Sequence, residues 1–78
     1  MDYQAYSLRK AQTAVEAQIK FAEIELEWFK ETVALYSPGL AKRQGELKIQ
    51  QKEIEVLIYK EELAEINMKL EELCGRPQ

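Results

Sequence analysis

With 78 residues, 46% of them apolar and 32% charged, the chain is bounded to one small domain. Its abundance of Ala, Glu, Lys, Leu, Gln and Ile, with three glycines and two prolines, is the makeup of long helices or coiled coils. A net charge of −3 argues against a chain built mainly to coat nucleic acid or an anionic membrane.

The opening MDYQAYSLRK has no apolar h-region, and no uncharged run approaches the ~18 residues of a membrane span. A lone Cys makes no internal disulfide. The expected setting is therefore cytoplasmic and reducing, with no membrane partner.

The first arm reads as a helix over about 2–36 and carries two apolar stripes. One is Leu8, Ala11, Val15, Ile19, Ala22, Leu26, Phe29, Val33 and Tyr36, at spacings of three and four throughout. The other is Ala14, Ala17, Phe21, Ile24, Trp28 and Leu35, roughly 120° away at 100° per residue. Helix 1 thus has more apolar surface than one partner helix covers.

The stretch LYSPGLAKR, Leu35 to Arg43, is the one break, read as a turn over about 37–39. Proline pushes Ser37 out of the α region, and Ser37 is the candidate cap, with Pro38 at the first helical position. Gly45 leaves a second option, a longer loop with the helix starting at Glu46.

The second helix is expected over about 40–74, closed by Gly75 at a left-handed C′ position and blocked by Pro77. Each arm would be a rod of about 50 Å. Its apolar face changes along its length. Leu40, Leu47, Ile54 and Ile58 form one set; Val56, Tyr59, Leu63, Ile66, Leu70 and Leu73 form a heptad seam on nearly the opposite side. The sets overlap in IEVLIY, Ile54 to Tyr59, expected to be the most buried segment.

If the chain folds back, positions whose numbers sum to about 75 lie side by side. Glu16 then meets Lys60, Lys20 meets Glu55, Glu23 meets Lys52, Glu27 meets Lys48, Glu31 meets Arg43 or Gln44 and Lys10 meets Glu65. The same alignment sets Leu35 against Leu40, Trp28 against Leu47, Phe21 against Ile54 and Ala17 against Ile58. On the other stripe it sets Leu8 against Ile66, Ala11 against Leu63, Val15 against Tyr59 and Ile19 against Val56.

One copy of helix 2 does not cover both stripes, so one seam closes the hairpin and the other joins a second chain; which is which stays open here. The candidate interface residues are Val15, Ile19, Ala22, Leu26, Phe29 and Val33 on helix 1, with Val56, Tyr59, Leu63, Ile66 and Leu70 on helix 2.

Reactive chemistry has little to work with. No His is present, which removes the commonest general base, the Ser/His and Cys/His pairs and most zinc sites. Glu23, Glu27 and Glu31 make an acidic row whose plain reading is a solvated face. Cys74 is a terminal thiol, and the glycines at 39, 45 and 75 stand too far apart for a phosphate loop. Trp28 and Phe29 point about 100° apart and serve different seams. Tyr3 and Tyr6 either pack on Leu70 and Leu73 or face a partner. Lys42, Arg43, Lys48 and Lys52 form the one basic concentration and the candidate nucleic-acid contact.

The expectation is an all-α protein: an antiparallel two-helix hairpin of the coiled-coil kind, dimerising into a four-helix bundle, since a lone hairpin roughly breaks even against ordering entropy. A domain-swapped dimer with the turn straightened satisfies the same pairings. In length and shape the architecture is similar to that of Rop-type plasmid RNA regulators, which are dimers of helical hairpins; no motif is shared. The expected function is a non-enzymatic protein–protein interaction module, an assembly factor, chaperone or regulatory subunit. Its partner is a second copy, as homodimer or other homo-oligomer, or another protein. No cofactor, metal or catalytic residue is expected. The alternative is a small RNA- or DNA-binding regulator on the same scaffold.

Overall fold

In the computed structural model, which describes residues 3–75, two helices run antiparallel. Helix α1 spans Tyr3–Ala34, 32 residues, and α2 spans Leu40–Cys74, 35 residues. Together they form a rod of 61 × 14 × 13 Å. The chain turns back on itself in a compact hairpin. Pro77 and the expected first helical residue Asp2 lie outside the described residues.

The turn takes five residues, 35–39, where three were expected. Helix α1 stops at Ala34 because the Leu35 and Tyr36 amides donate to Thr32 and Val33 carbonyls at 3.1 and 3.0 Å, tightening the last turn. Ser37 does not cap α2. Its N-cap is Gly39, with no side-chain cap, and the first turn closes when the Arg43 amide donates to the Gly39 carbonyl at 3.1 Å. The helix therefore begins at Leu40 and runs through Gly45, which removes the longer-loop option.

Gly39 sits at φ 153°, ψ −167°, a region essentially reserved for glycine. Nothing lies within 4 Å of where its Cβ would be, so the constraint is purely one of backbone. Gly39→Ala is expected to lower stability by about 1–3 kcal/mol, measured by thermal unfolding. An unchanged melt would show that the turn adopts another conformation. At the far end Gly75 is right-handed, φ −94°, ψ 2°, and not left-handed as expected; its amide donates to the Glu71 carbonyl at 2.7 Å, which closes the helix without a positive φ.

The core is a single seam. Val15, Ile19, Ala22 and Val33 of α1 and Val56 and Gly45 of α2 are buried. Leu8, Ala11, Leu26 and Phe29 and, across the seam, Ile49, Tyr59, Leu63, Ile66, Leu70 and Leu73 are half-buried. The IEVLIY segment is not the most buried one within the chain: Val56 alone is buried, while Ile54, Leu57 and Ile58 are half or more exposed, because a two-helix rod offers each helix one neighbour.

The register is also displaced from the expected one. Val33 lies against Gly45, Ile19 and Leu63 line one groove, and Leu8 and Leu73 another. Helix α2 is displaced by three residues at the turn end, where Val33 lies against Gly45, and by six or seven where Leu8 and Leu73 or Ile19 and Leu63 share a groove, roughly 5–10 Å at 1.5 Å per residue, because the close approach at the glycine sets the seam's origin. Lys52 consequently pairs with Glu25 at 3.0 Å rather than Glu23, and Lys60 reaches Glu23 at 4.0 Å rather than Glu16. The other four expected inter-helix pairs are not formed among the described residues.

Candidate interaction surfaces

The structure assigns the two stripes of α1 unequally. Every candidate interface residue falls on the seam inside the hairpin: Val15, Ile19, Ala22, Val33 and Val56 are buried, and Leu26, Phe29, Tyr59, Leu63, Ile66 and Leu70 are half-buried. What the hairpin leaves uncovered is the other stripe. Phe21 is 69% exposed, Ile24 64%, Trp28 59% and Leu35 86%. On α2, Leu40, Leu47, Ile54, Leu57 and Ile58 are exposed as well. The expected contacts of Phe21 with Ile54 and of Trp28 with Leu47 are therefore not made within one chain.

Both bare stripes occupy the half of the rod nearest the turn. Further along α2 the same outer positions are taken by Glu61 and Glu65. Large contiguous apolar surface on a small protein marks a place where something binds. The Trp28 and Phe29 rings, expected to serve different seams, meet edge to face at 5.3 Å and 65°, so a contact joins the seam to the outer stripe. Beside them a shallow groove of about 250 Å³ is lined by Trp28, Phe29, Val33, Tyr36, Ala41 and Lys48. At the opposite end Tyr3 and Tyr6 are exposed; Tyr3 flanks Leu73 in a second groove, and Lys10 Nζ sits 5.7 Å over the Tyr6 ring.

A polar cluster interrupts the seam at Lys52. Its ammonium bridges Glu25 at 3.0 Å and Glu55 at 3.5 Å, and the Tyr59 hydroxyl donates to Glu55 at 3.1 Å. The bond to Glu25 raises the Lys52 pKa above its ordinary value, with partial burial opposing. The bond to Glu55, followed by that carboxylate's charge, raises the Tyr59 pKa. A raised folded-state pKa stabilises the fold below the ordinary value, and the contribution is lost as pH climbs through the raised one. Glu25→Gln is thus expected to melt below the parent at neutral pH, with the gap closing above the lysine range, about pH 10.4 upward. A gap independent of pH would remove the Lys52–Glu25 pair from the account.

The hydrogen bond from Gln12 Nε2 to Asn67 Oδ1, 2.7 Å, and the 3.9 Å contact of Arg9 with Cys74 Sγ were not foreseen. Both pin the open end of the hairpin, and neither residue pair carries a periodicity signal.

The four basic candidates do not form one patch. Lys52 is committed to its carboxylates; Lys42 and Arg43 lie by the turn with Glu46; Lys48 edges the Trp28 groove. Steps of 100° per residue spread the tight sequence cluster around the helix. Glu23, Glu27 and Glu31 are exposed, and no group of three or more His, Cys, Asp or Glu able to hold a metal ion exists among the described residues. Cys74 is free and exposed. No helix among the described residues is long and apolar enough to cross a membrane.

No family model matches the chain, and neither a curated protein nor a solved structure matches it.

Proposed function

We propose that the chain is a non-enzymatic helical-hairpin module that self-associates through its outer apolar stripes and acts by binding protein, as an assembly factor, chaperone or regulatory subunit. One observation carries the reading. After the hairpin has closed its own seam, Phe21, Ile24, Trp28 and Leu35 on one helix and Leu40, Leu47, Ile54 and Ile58 on the other stay exposed. Leaving that surface in water wastes the burial that a marginal two-helix fold needs. The absence of His from the sequence, with its loss of the usual acid–base and metal chemistry, supports a binding role over a catalytic one.

A homodimer is the smallest form of such an assembly. In the four-helix bundle expected from the sequence, two copies would have to meet through these outer residues, since the inner seam is occupied within each hairpin. The test is absolute mass by light scattering behind a sizing column, over a concentration series. A mass of two or more times 9.1 kDa supports the reading. A monomer with a cooperative melt at every concentration overturns it.

A further inference from the structure

Granting self-association, we propose that the outer stripe of α1 docks antiparallel on the outer stripe of α2 in a second copy, both turns at the same end, so that hairpins join side by side in a repeating assembly rather than as closed pairs. The occupant is identified by complementarity within the chain's own surface. Set Leu35 of one copy against Leu40 of the next, and Trp28 falls against Leu47, Phe21 against Ile54 and Ala17 against Ile58 at one constant offset. Each of these except Ala17 is a large side chain at least half exposed in the single hairpin.

Charge agrees at both ends of that alignment. Glu31 comes beside Arg43 near the turns. Where the apolar stripe of α2 gives way to Glu65, the facing residue is Lys10. Neither pair is formed within the chain among the described residues; Glu65 bridges Lys69 at 3.5 Å and Lys10 sits over the Tyr6 ring, both exposed contacts weak enough for a neighbour to displace. The alignment by which these residues match differs by three residues or more from the one the hairpin uses internally. The outer stripes therefore encode a register of their own, and a second copy can satisfy it.

Geometry decides the kind of contact. Measured from buried Val15, Ile19, Ala22 and Val33, the outer stripe of α1 lies roughly 150° around the helix at 100° per residue. On α2, Leu40, Leu47 and Ile54 lie about 180° from Val56. A closed four-helix bundle needs each helix to meet its two neighbours on adjacent faces around a single core. Here the two faces of each helix point apart. Docking α1 of one copy on α2 of the next leaves one stripe bare on each, which the following copy covers; such a heterologous contact ends in a ring or an open array. A symmetric α1–α1 contact would leave Leu40, Leu47 and Ile54 in water.

The experiment uses full-length chains carrying Cys74→Ser, with Trp28→Cys in one preparation and Leu47→Cys in the other. The preparations are unfolded, mixed, refolded and oxidised. The expected product is a covalent pair containing one chain of each kind, with little cross-linking in either preparation alone. Light scattering of the parent chain is expected to exceed two copies at high concentration. Arg43→Glu is expected to lower assembly at least tenfold, and Glu31→Arg added to it to restore assembly, while each variant stays helical by circular dichroism. Self-linking of the Trp28→Cys chain, or a mass that stops at two copies, overturns the arrangement while leaving self-association standing. A monomer at all concentrations removes both.

Discussion

Gly45→Leu is expected to lower the stability of the hairpin by about 2 kcal/mol, even though leucine is the better helix former by roughly 0.8 kcal/mol. Gly45 lies in the interior of α2, buried against Val33 of α1. A Cβ added there would stand 2.6 Å from Val33 Cγ2 and 3.2 Å from Cγ1. Val33 is 5% exposed, and a valine in a helix has one strongly preferred χ1, so its methyl groups have nowhere to swing. Either the helices separate at the turn end or the side chain leaves its rotamer; overpacking of this kind costs about 1–3 kcal/mol and occasionally more. Val33→Ala makes room. In combination with Gly45→Ala it is expected to cost less than the sum of the single changes, by about 0.5 kcal/mol or more. Thermal melts of the four chains of that cycle, and of Gly45→Leu, are the measurement. Strict additivity, with Gly45→Leu as stable as the parent, would mean that the close approach is absent.

The second large effect falls on the outer stripes. Trp28→Glu and Ile54→Glu are each expected to weaken self-association by at least about 100-fold, because an unpaired carboxylate buried in the contact costs several kcal/mol and about 1.4 kcal/mol is a factor of ten. Both residues lie mostly outside the inner seam, Trp28 59% and Ile54 57% exposed, and Trp28 meets it only through its edge-to-face contact with Phe29. Val56→Glu, by contrast, puts the charge where the chain leaves 7% of the residue accessible, and is expected to abolish the hairpin itself. A two-helix hairpin alone is marginal, so helicity is best read with an excluded osmolyte present, which strengthens burial without adding contacts. Under that condition the outer-stripe variants should be helical monomers and Val56→Glu a disordered one. If Trp28→Glu and Ile54→Glu keep the parent's mass, the outer stripes are not where copies meet.

Much of this was legible in the residues. Two long helices, the break between them, the direction of return and the presence of one stripe too many all follow from periodicity, from helix-forming composition and from a Pro-Gly pair. Those signals are local, repeated over many turns, and insensitive to small errors of position. The heptad a/d run of α2 from Val56 to Leu73 and the threes and fours from Leu8 to Val33 pointed to the residues that now form the seam.

What the sequence determined by itself was therefore the class of object: a helical hairpin with two apolar faces per helix and no histidine chemistry. Only the tertiary structure decided which face turns inward, and at what offset. Periodicity places Val15 and Phe21 on different stripes but treats both as apolar, and it carries no information about how closely two backbones approach. Gly45, which the sequence offered only as the end of a longer loop, lets α2 come against Val33 and moves the register, so that Lys52 finds Glu25 instead of Glu23. Gly39, at a φ that glycine alone accepts readily, lets the chain reverse into α2 at Leu40, while α1 stops two residues early at Ala34. Close packing and backbone geometry at two glycines chose between stripes that hydrophobicity alone left equal.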